Sequence, residues 1–470
     1  MFTLARQPAA DLAPVIIGAG PAGTRAAATL VRHGLRPVVV DESPRSGGQI
    51  YRRPPAGFTR TANELYGSEA SRANAVHAAF DELLADKAID YRPNTLVWNA
   101  QPDLLDLLEN TGRKASALPW RDVIVATGAT DRVLPIPGWT LPGVYSLGGA
   151  QVALKYQGCA IGAEVVLAGT GPLLYLVAYQ YAKAGAKVVA VLDTAPANAR
   201  RSAVGGMLGM PGVLLKGMYL TAWLQCHGIA MHHGVTLLHA QGANALEGVA
   251  WRDSAGREQF TPCSALALGY ALRPETQLAD LLGCEFAFSA LHRCYVPVLD
   301  DQRRSSVAGV YLAGDGAGIM GADAAERSGE LAALALLQDR GVAVDPARVR
   351  TLQADLAKVE RFRHGLEKAF PFPQNWAAQA PDELVVCRCE NVTAGELRRT
   401  ATECDAKEMN RLKALCRVGM GRCQGRMCGV AAAELLAQHH QVPVESVGRL
   451  RGQAPLKPLP VDVVFEEGQP

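Results

Sequence analysis

The sequence predicts an α/β fold made of two dinucleotide-binding units followed by a small helical cysteine module. Three observations predict it. A glycine loop at Gly18, Gly20 and Gly23 follows a short apolar strand, a second loop at Gly169 and Gly171 repeats that order, and two cysteine pairs, Cys387 with Cys389 and Cys423 with Cys428, stand near the C-terminal end. At 470 residues the chain exceeds one hydrophobic core and has room for about three domains. With 49% apolar residues, 47 glycines and few aromatics, it has the composition of an α/β enzyme whose backbone is approached closely by nucleotides. A formal charge of only +2, without a basic stripe interleaved with aromatics, argues against nucleic acid as a partner.

In the first unit, Val15, Ile16 and Ile17 make a buried-strand pattern. Gly18-Ala19-Gly20-Pro21-Ala22-Gly23 follows, and a helical stretch runs to His33, where Gly34 can end it. The next strand, Val38-Val39-Val40, stops at Asp41 and Glu42. Such glycines permit a tight turn and bring a pyrophosphate close to a helix N-terminus, while an acid about 20 residues on accepts ribose hydroxyls. Asp41 is the expected ribose ligand and Glu42 the alternative. A glycine triplet alone is a weak signal, but strand, loop, helix, strand and acid in order are a strong one.

These motifs resemble the two-dinucleotide-domain flavoprotein family, the Rossmann-like group that includes thioredoxin and glutathione reductases. Gly47-Gly48-Gln49 matches the loop that family places against its flavin. Val123 to Ala126 with Thr127 and Gly128 matches its strand and Thr-Gly turn, and Tyr311 to Ala313 with Gly314 and Asp315 matches its late Gly-Asp turn. The resemblance implies FAD, and it gives Asp315 the ribityl and phosphate region.

In the second unit, Val165 to Ala168 leads into Gly169-Thr170-Gly171-Pro172-Leu173-Leu174. A helical run to Ala184, a stop at Gly185 and the strand Val188 to Leu192 before Asp193 follow. Leu174 stands where the third glycine belongs and is expected to widen the helix-to-strand contact. Two readings stay open: a site for NAD or another adenine nucleotide at Gly169 and Gly171, or a retained fold with a repurposed pocket. Asp193 would repel a 2′-phosphate, although Arg200 and Arg201 could bind phosphate groups.

The uncharged run Val165 to Ala182 approaches the length of a membrane span, yet it holds Gly169, Gly171 and Pro172 where a strand should turn into a helix. No integral membrane segment is expected. The N-terminal stretch, with Asp11, lacks a basic region, apolar core and cleavage site in order, so a cytoplasmic protein is expected. Eleven cysteines without a secretory signal read as reduced thiols. Cys159, Cys226, Cys263, Cys284 and Cys294 are expected to be small buried hydrophobes. No redox-active cysteine pair precedes Cys387, which excludes a thioredoxin reductase as the direct reading.

After Gly341 the pattern turns helical until Pro371-Phe372-Pro373 and Pro381 interrupt it, as in a connector of restricted flexibility. Thr393 to Glu396 has capping-box spacing, so a helix is expected after the first cysteine pair. A second helix is expected from Val430, directly after Cys428. Four thiolates can close a metal site, with glycines around Cys423 letting the backbone wrap it and Arg388, Arg422 and Arg426 offsetting its charge. By spacing and charge, iron–sulfur and structural zinc both remain open. Cys404 and Cys416, and His232, His233, His239, His439 and His440, lack ligand spacing and read as packing or surface residues.

The module resembles the bacterioferritin-associated-ferredoxin type of [2Fe-2S] domain. The four residues between Cys423 and Cys428 are similar to the version fused to α subunits of opine oxidases, D-hydroxyproline dehydrogenases and hydrogen cyanide synthases, which have the same domain order. That resemblance implies an electron-transferring subunit that works with a flavoprotein β subunit, which oxidises an amine or imino acid carbon–nitrogen bond. It further allows an FMN held between subunits and a small ferredoxin-like subunit. The domains expected are an FAD-binding domain at 1–145 and 290–345, a second nucleotide domain at 146–289, a connector at 346–382, the [2Fe-2S] domain at 383–445 and a Pro-rich tail at 446–470. Pro455 to Pro460 in that tail could lie extended or be disordered. No catalytic acid, base or nucleophile set is found; Asp323 and Glu326 read as helix-start acids. The alternative function is a self-sufficient NAD(P)H-dependent flavin and iron–sulfur oxidoreductase.

Overall fold

The computed structural model describes residues 12–55, 57–207 and 209–465, with the side chains of Arg201, Val204 and Phe465 excepted. The N-terminal residues around Asp11 lie outside the described residues.

Two parallel five-stranded sheets organise the molecule. In the first, the strands run in the order Val310–Leu312, Val123–Val125, Val15–Ile17, Val38–Val40 and Asp90–Arg92. Its central strands are fully apolar, because helices and an antiparallel lobe cover its two faces. In the second sheet the order is Ala230–His233, Lys187–Asp193, Glu164–Thr170, Ala265–Tyr270 and Val144–Ser146. The chain passes between the two domains through the antiparallel pair Ala129–Asp131 and Leu272–Pro274, and it re-enters the first sheet with Val310–Leu312.

Local punctuation sets the helix ends. The helix Pro21–Arg32 starts after the glycine loop, and Gly34 at φ +80° follows its last turn. The matching helix Pro172–Lys183 is followed by Gly185 at φ +86°. Pro21–Arg32 packs on the helix Ala322–Asp339 so closely that a Cβ on Gly329 would lie 2.1 Å from the Ala22 carbonyl oxygen. The late Gly314-Asp315 turn is thereby pressed against the first glycine loop.

The connector is a long helix, Pro346–Ala369, capped by Asp345, which accepts from the Ala347 amide. It packs on Ala197–Met207 of the second domain through a glycine crossing, Gly206 against Gly365. The chain is then pinned by aromatic anchors. Trp376 donates to the Pro135 carbonyl at 2.9 Å, and Trp139 donates to the Val385 carbonyl at 2.6 Å. The cysteine module consists of the hairpin Val385–Cys387 with Val392–Thr393 and the helices Ala394–Glu403, Met409–Cys416 and Gly429–His440. Thr393 caps the first of these by accepting from the Glu396 amide. The tail bends over the first domain: Leu456 donates its amide to the Trp98 carbonyl, and Val464–Phe465 adds a strand beside Lys114–Ala115.

One group of cysteines departs from expectation. Cys263 and Cys284 are buried, but Cys159 and Cys226 are exposed and Cys294 is half-buried. Cys226 closes the helix Pro211–Cys226, only part of which is covered by the second domain.

Candidate functional site

A cavity of about 2010 Å³ runs between the two nucleotide domains and reaches the cysteine module. Its floor is the first glycine loop. A Cβ on Gly23 would lie 1.8 Å from the Gly18 carbonyl oxygen, so this position closes the turn with backbone alone. Gly20, in contrast, meets nothing nearer than the Gly48 Cα at 3.5 Å and presents bare backbone to the cavity together with Pro21, Ala22 and Gly48. Gln49, Thr127, Gly128, Gly314 and Asp315 also line it.

The acids at the strand end are differently engaged. Asp41 accepts from the amides of Ala19 and Ser43, which ties the glycine loop to the strand end; burial raises its pKa, and those amides oppose the rise. Glu42 pairs with Lys457 of the tail. Both face the cavity. Asp315 accepts from the amides of Met320 and Gly321, and burial raises its pKa. Asp323 pairs with Arg72 at 2.8 Å and Glu326 with Arg25 at 2.7 Å, each as part of a surface ion pair.

The four sequence-predicted thiols converge. Cys428 lies within hydrogen-bonding reach of both Cys387 and Cys423, so one proton shared among the three holds Cys387 and Cys423 below the ordinary range and pushes the Cys428 thiol well above it. Cys389, exposed at one side and partly desolvated at the other, has its thiol pKa raised, first by that desolvation and then by the neighbouring Cys423. Backbone amides also point at the sulfurs: those of Gly419, Glu390 and Cys389 at Cys387, and those of Met427 and Gly425 at Cys423. Such N–H to sulfur bonds stabilise thiolates and tune metal–sulfur centres. Gly421 is needed here, since a Cβ would lie 2.2 Å from the Cys389 Cβ. The thiols touch pairwise, without a closed cage of three or more ligands among the described residues. Cys404 is exposed, and Cys416 is buried with its thiol on the Leu412 carbonyl. His439 and His440 bond Thr402 and the Ala406 carbonyl.

Cys423, Arg388 and Arg426 line the same cavity as the glycine loop. Arg426 pairs with Glu275 at 2.8 Å. Glu275 in turn gives its amide to the Gly128 carbonyl and accepts the Thr127 hydroxyl on its own carbonyl at 2.7 Å. One ion pair therefore joins the cysteine loop to the Thr-Gly turn. Sequence reasoning missed Glu275 and Lys155, a buried cation that also lines the cavity, because neither belongs to a local motif.

The second nucleotide unit is altered beyond Leu174. Leu174 is wholly buried in the second domain's core. Asp193, fully buried, accepts from Tyr175 at 2.6 Å and from the Ala195 amide at 2.9 Å, and pairs with Arg200. Its carboxylate is thus already neutralised and does not present the free charge expected to repel a 2′-phosphate. Arg200 stacks between Tyr175 and Phe370. The side chain of Arg201 lies outside the described residues.

Residues 13–329 match the pyridine nucleotide-disulphide oxidoreductase family, and residues 385–438 match the BFD-like [2Fe-2S] binding domain. The chain belongs to that oxidoreductase family. It is 38% identical to an opine oxidase subunit of Rhizobium meliloti over 95% of this chain and 85% of that one. It is 34% identical to hydrogen cyanide synthase subunit HcnB of Pseudomonas protegens, over 96% of this chain and 97% of that one. In fold it is similar to the L-proline dehydrogenase of P. horikoshii, with a TM-score of 0.68 at 19% identity over 96% of this chain and 79% of that one. Membership in the pyridine nucleotide-disulphide oxidoreductase family implies FAD, and the BFD-like domain implies a [2Fe-2S] cluster. The residues fit both groups: two bare glycine loops face one another at the cavity floor, and four thiols converge with backbone amides at Cys387, Cys389 and Cys423. No helix among the described residues is long and apolar enough to cross a membrane.

Proposed function

We propose that this chain is the electron-transferring flavin and iron–sulfur subunit of a hetero-oligomeric amino acid or imino acid dehydrogenase of opine or D-hydroxyproline type. A companion flavoprotein subunit oxidises the carbon–nitrogen bond, and the present chain carries the electrons onward. The observation that carries this reading is the shared cavity: Cys423 and the first glycine loop line one space, while Cys389 is exposed at the outer surface. FAD would be held by Gly18, Gly20, Pro21, Ala22, Gly23, Gly48, Gln49, Thr127, Gly128, Gly314 and Asp315, with Asp41 or Glu42 at the ribose. The cluster would be held by Cys387, Cys389, Cys423 and Cys428. When bound, FAD accepts an electron pair and releases single electrons, which suits a one-electron cluster. The protein's part is to bind, orient and tune both groups.

The relatives named as subunits support a hetero-oligomer, and an FMN between subunits or a small ferredoxin-like subunit would extend the same relay. Leu174, and an Asp193 carboxylate held inward by Arg200 and so withdrawn from a ribose, count against a self-sufficient NAD(P)H oxidoreductase, while Gly169 and Gly171 stay candidates for NAD or another adenine nucleotide. The deciding experiment compares anaerobic visible spectra of the isolated chain and of its complex with the companion subunit. Dithionite should bleach flavin and iron–sulfur bands in both. An opine or D-hydroxyproline should bleach them only in the complex; bleaching of the isolated chain by the amine would sink the relay reading, and rapid bleaching by NADH would replace it with the self-sufficient one.

A further inference from the structure

Lys155 is a buried cation that the relay leaves without a task. It sits in a single π-type turn, Ala153–Gln157, that continues the helix Leu147–Val152; turns of this kind recur at functional sites. The residue is only 3% exposed and lines the cavity from the side of the second domain. Its Nζ donates to the Ile50 carbonyl at 3.2 Å, which uses one of three donors. No carboxylate pairs with it among the described residues, and the charges that act on it are the cations Arg52 and Lys216. Lys216 is neutralised by Glu69 at 2.6 Å, whereas the Nε of Arg52 is buried without a partner.

Burial, then Arg52 and Lys216, lower the Lys155 pKa to about 8, so the ammonium stays mostly charged at neutral pH. A buried charge without a counter-ion is costly. The compensating anion has to come from whatever fills the cavity. The position narrows the choice: Lys155 enters the cavity from the second domain, whereas the pyrophosphate approach at Gly20 and the acids Asp41 and Glu42 at the ribose end are furnished by the first.

We propose that Lys155 would stabilise the negative charge left on a bound FAD by two electrons and one proton drawn from the amine oxidised in the companion subunit, and so would make that cofactor easier to reduce. The inference rests on FAD occupying the cavity. It assigns a charge-stabilising role to a residue of the second domain, so the two domains share one redox site.

The test uses the full-length holoprotein with Lys155→Met and Lys155→Gln, FAD content being measured first. Both variants should keep FAD, show a more negative flavin midpoint potential, and bind free sulfite about tenfold or more weakly, the scale of one lost charge-assisted contact. Unchanged potential and sulfite affinity in a variant that holds FAD overturns the proposal. Loss only of a spectral response to acetate or phosphate also overturns it, because Lys155 would then serve a diffusible anion. If neither variant keeps FAD, the wild type decides: it should form an adduct with free sulfite, and its failure to do so overturns the proposal. A wild-type protein that cannot take up FAD at all overturns the occupancy of the cavity itself, a result distinguishable from the others.

Discussion

At the scale of single residues, the two outer demands on a dinucleotide loop separate cleanly. Gly23 is fixed by the fold, since its Cβ would collide with the Gly18 carbonyl oxygen at 1.8 Å, whereas Gly20 has ordinary space at 3.5 Å and faces the cavity. Gly23→Ala should therefore destabilise even the FAD-free protein, by about 1–3 kcal/mol or more from overpacking. Gly20→Val should leave the FAD-free melting temperature nearly unchanged while abolishing FAD retention, because the branched side chain fills the pyrophosphate approach. Thermal melting with and without FAD, with iron content as a check on the distant module, distinguishes them. Equal destabilisation by both changes would mean that the loop geometry, and not ligand approach, selects both glycines.

At the scale of elements, the Arg426–Glu275 pair couples the cysteine loop to the Thr127-Gly128 turn. Both side chains are largely buried, at 15% and 12% exposure. Burial raises the Glu275 pKa, but Arg426, with Arg273 and the Gln277 amide, outweighs it and the net result lies below the ordinary 4.5. A carboxyl with a depressed folded-state pKa contributes its stability above the ordinary value and loses it as pH falls through the folded one. Glu275→Gln should cost about 3–5 kcal/mol near neutral pH, because it leaves Arg426 buried and unpaired. It should also remove this pair's share of the stability loss on acidification from pH 5 downward. Denaturant unfolding as a function of pH checks both, and replacing the pair together by Glu275→Leu and Arg426→Met should cost much less. Element boundaries such as this one explain what was legible in the sequence. Gly34, Gly185 and the Thr393 cap could be read because a few neighbouring residues determine them. Glu275 meets Arg426 across 151 positions, and Asp193 turns inward because Tyr175 and Arg200 meet it there; no local pattern announces either. The four cysteines were readable as a set only because each pair is close in sequence.

At the scale of the molecule, the chain's last segment returns to the domain where it began and completes a site there. Leu456, 5% exposed, donates its amide to Trp98 and accepts Arg426 on its carbonyl at 2.9 Å. Lys457 pairs with Glu42, and both tail residues line the cavity. The tail thus touches Glu42 beside the first glycine loop and Arg426 of the cysteine loop at once. Deleting residues 455–470 removes one buried leucine, worth about 1.5–3 kcal/mol, together with the counter-ion of Glu42. The cysteine module keeps Leu450, which packs against Gly419, Gly425 and Gly429, so its interior is left intact. The truncated protein should keep its iron, melt earlier and release FAD faster on dilution than the full chain, as followed by flavin fluorescence. Lys457→Gln in the full-length chain isolates the charge contribution: FAD release that accelerates only in the truncation assigns the effect to the covering leucine, and release unchanged in both would show that the tail is not a wall of the flavin site.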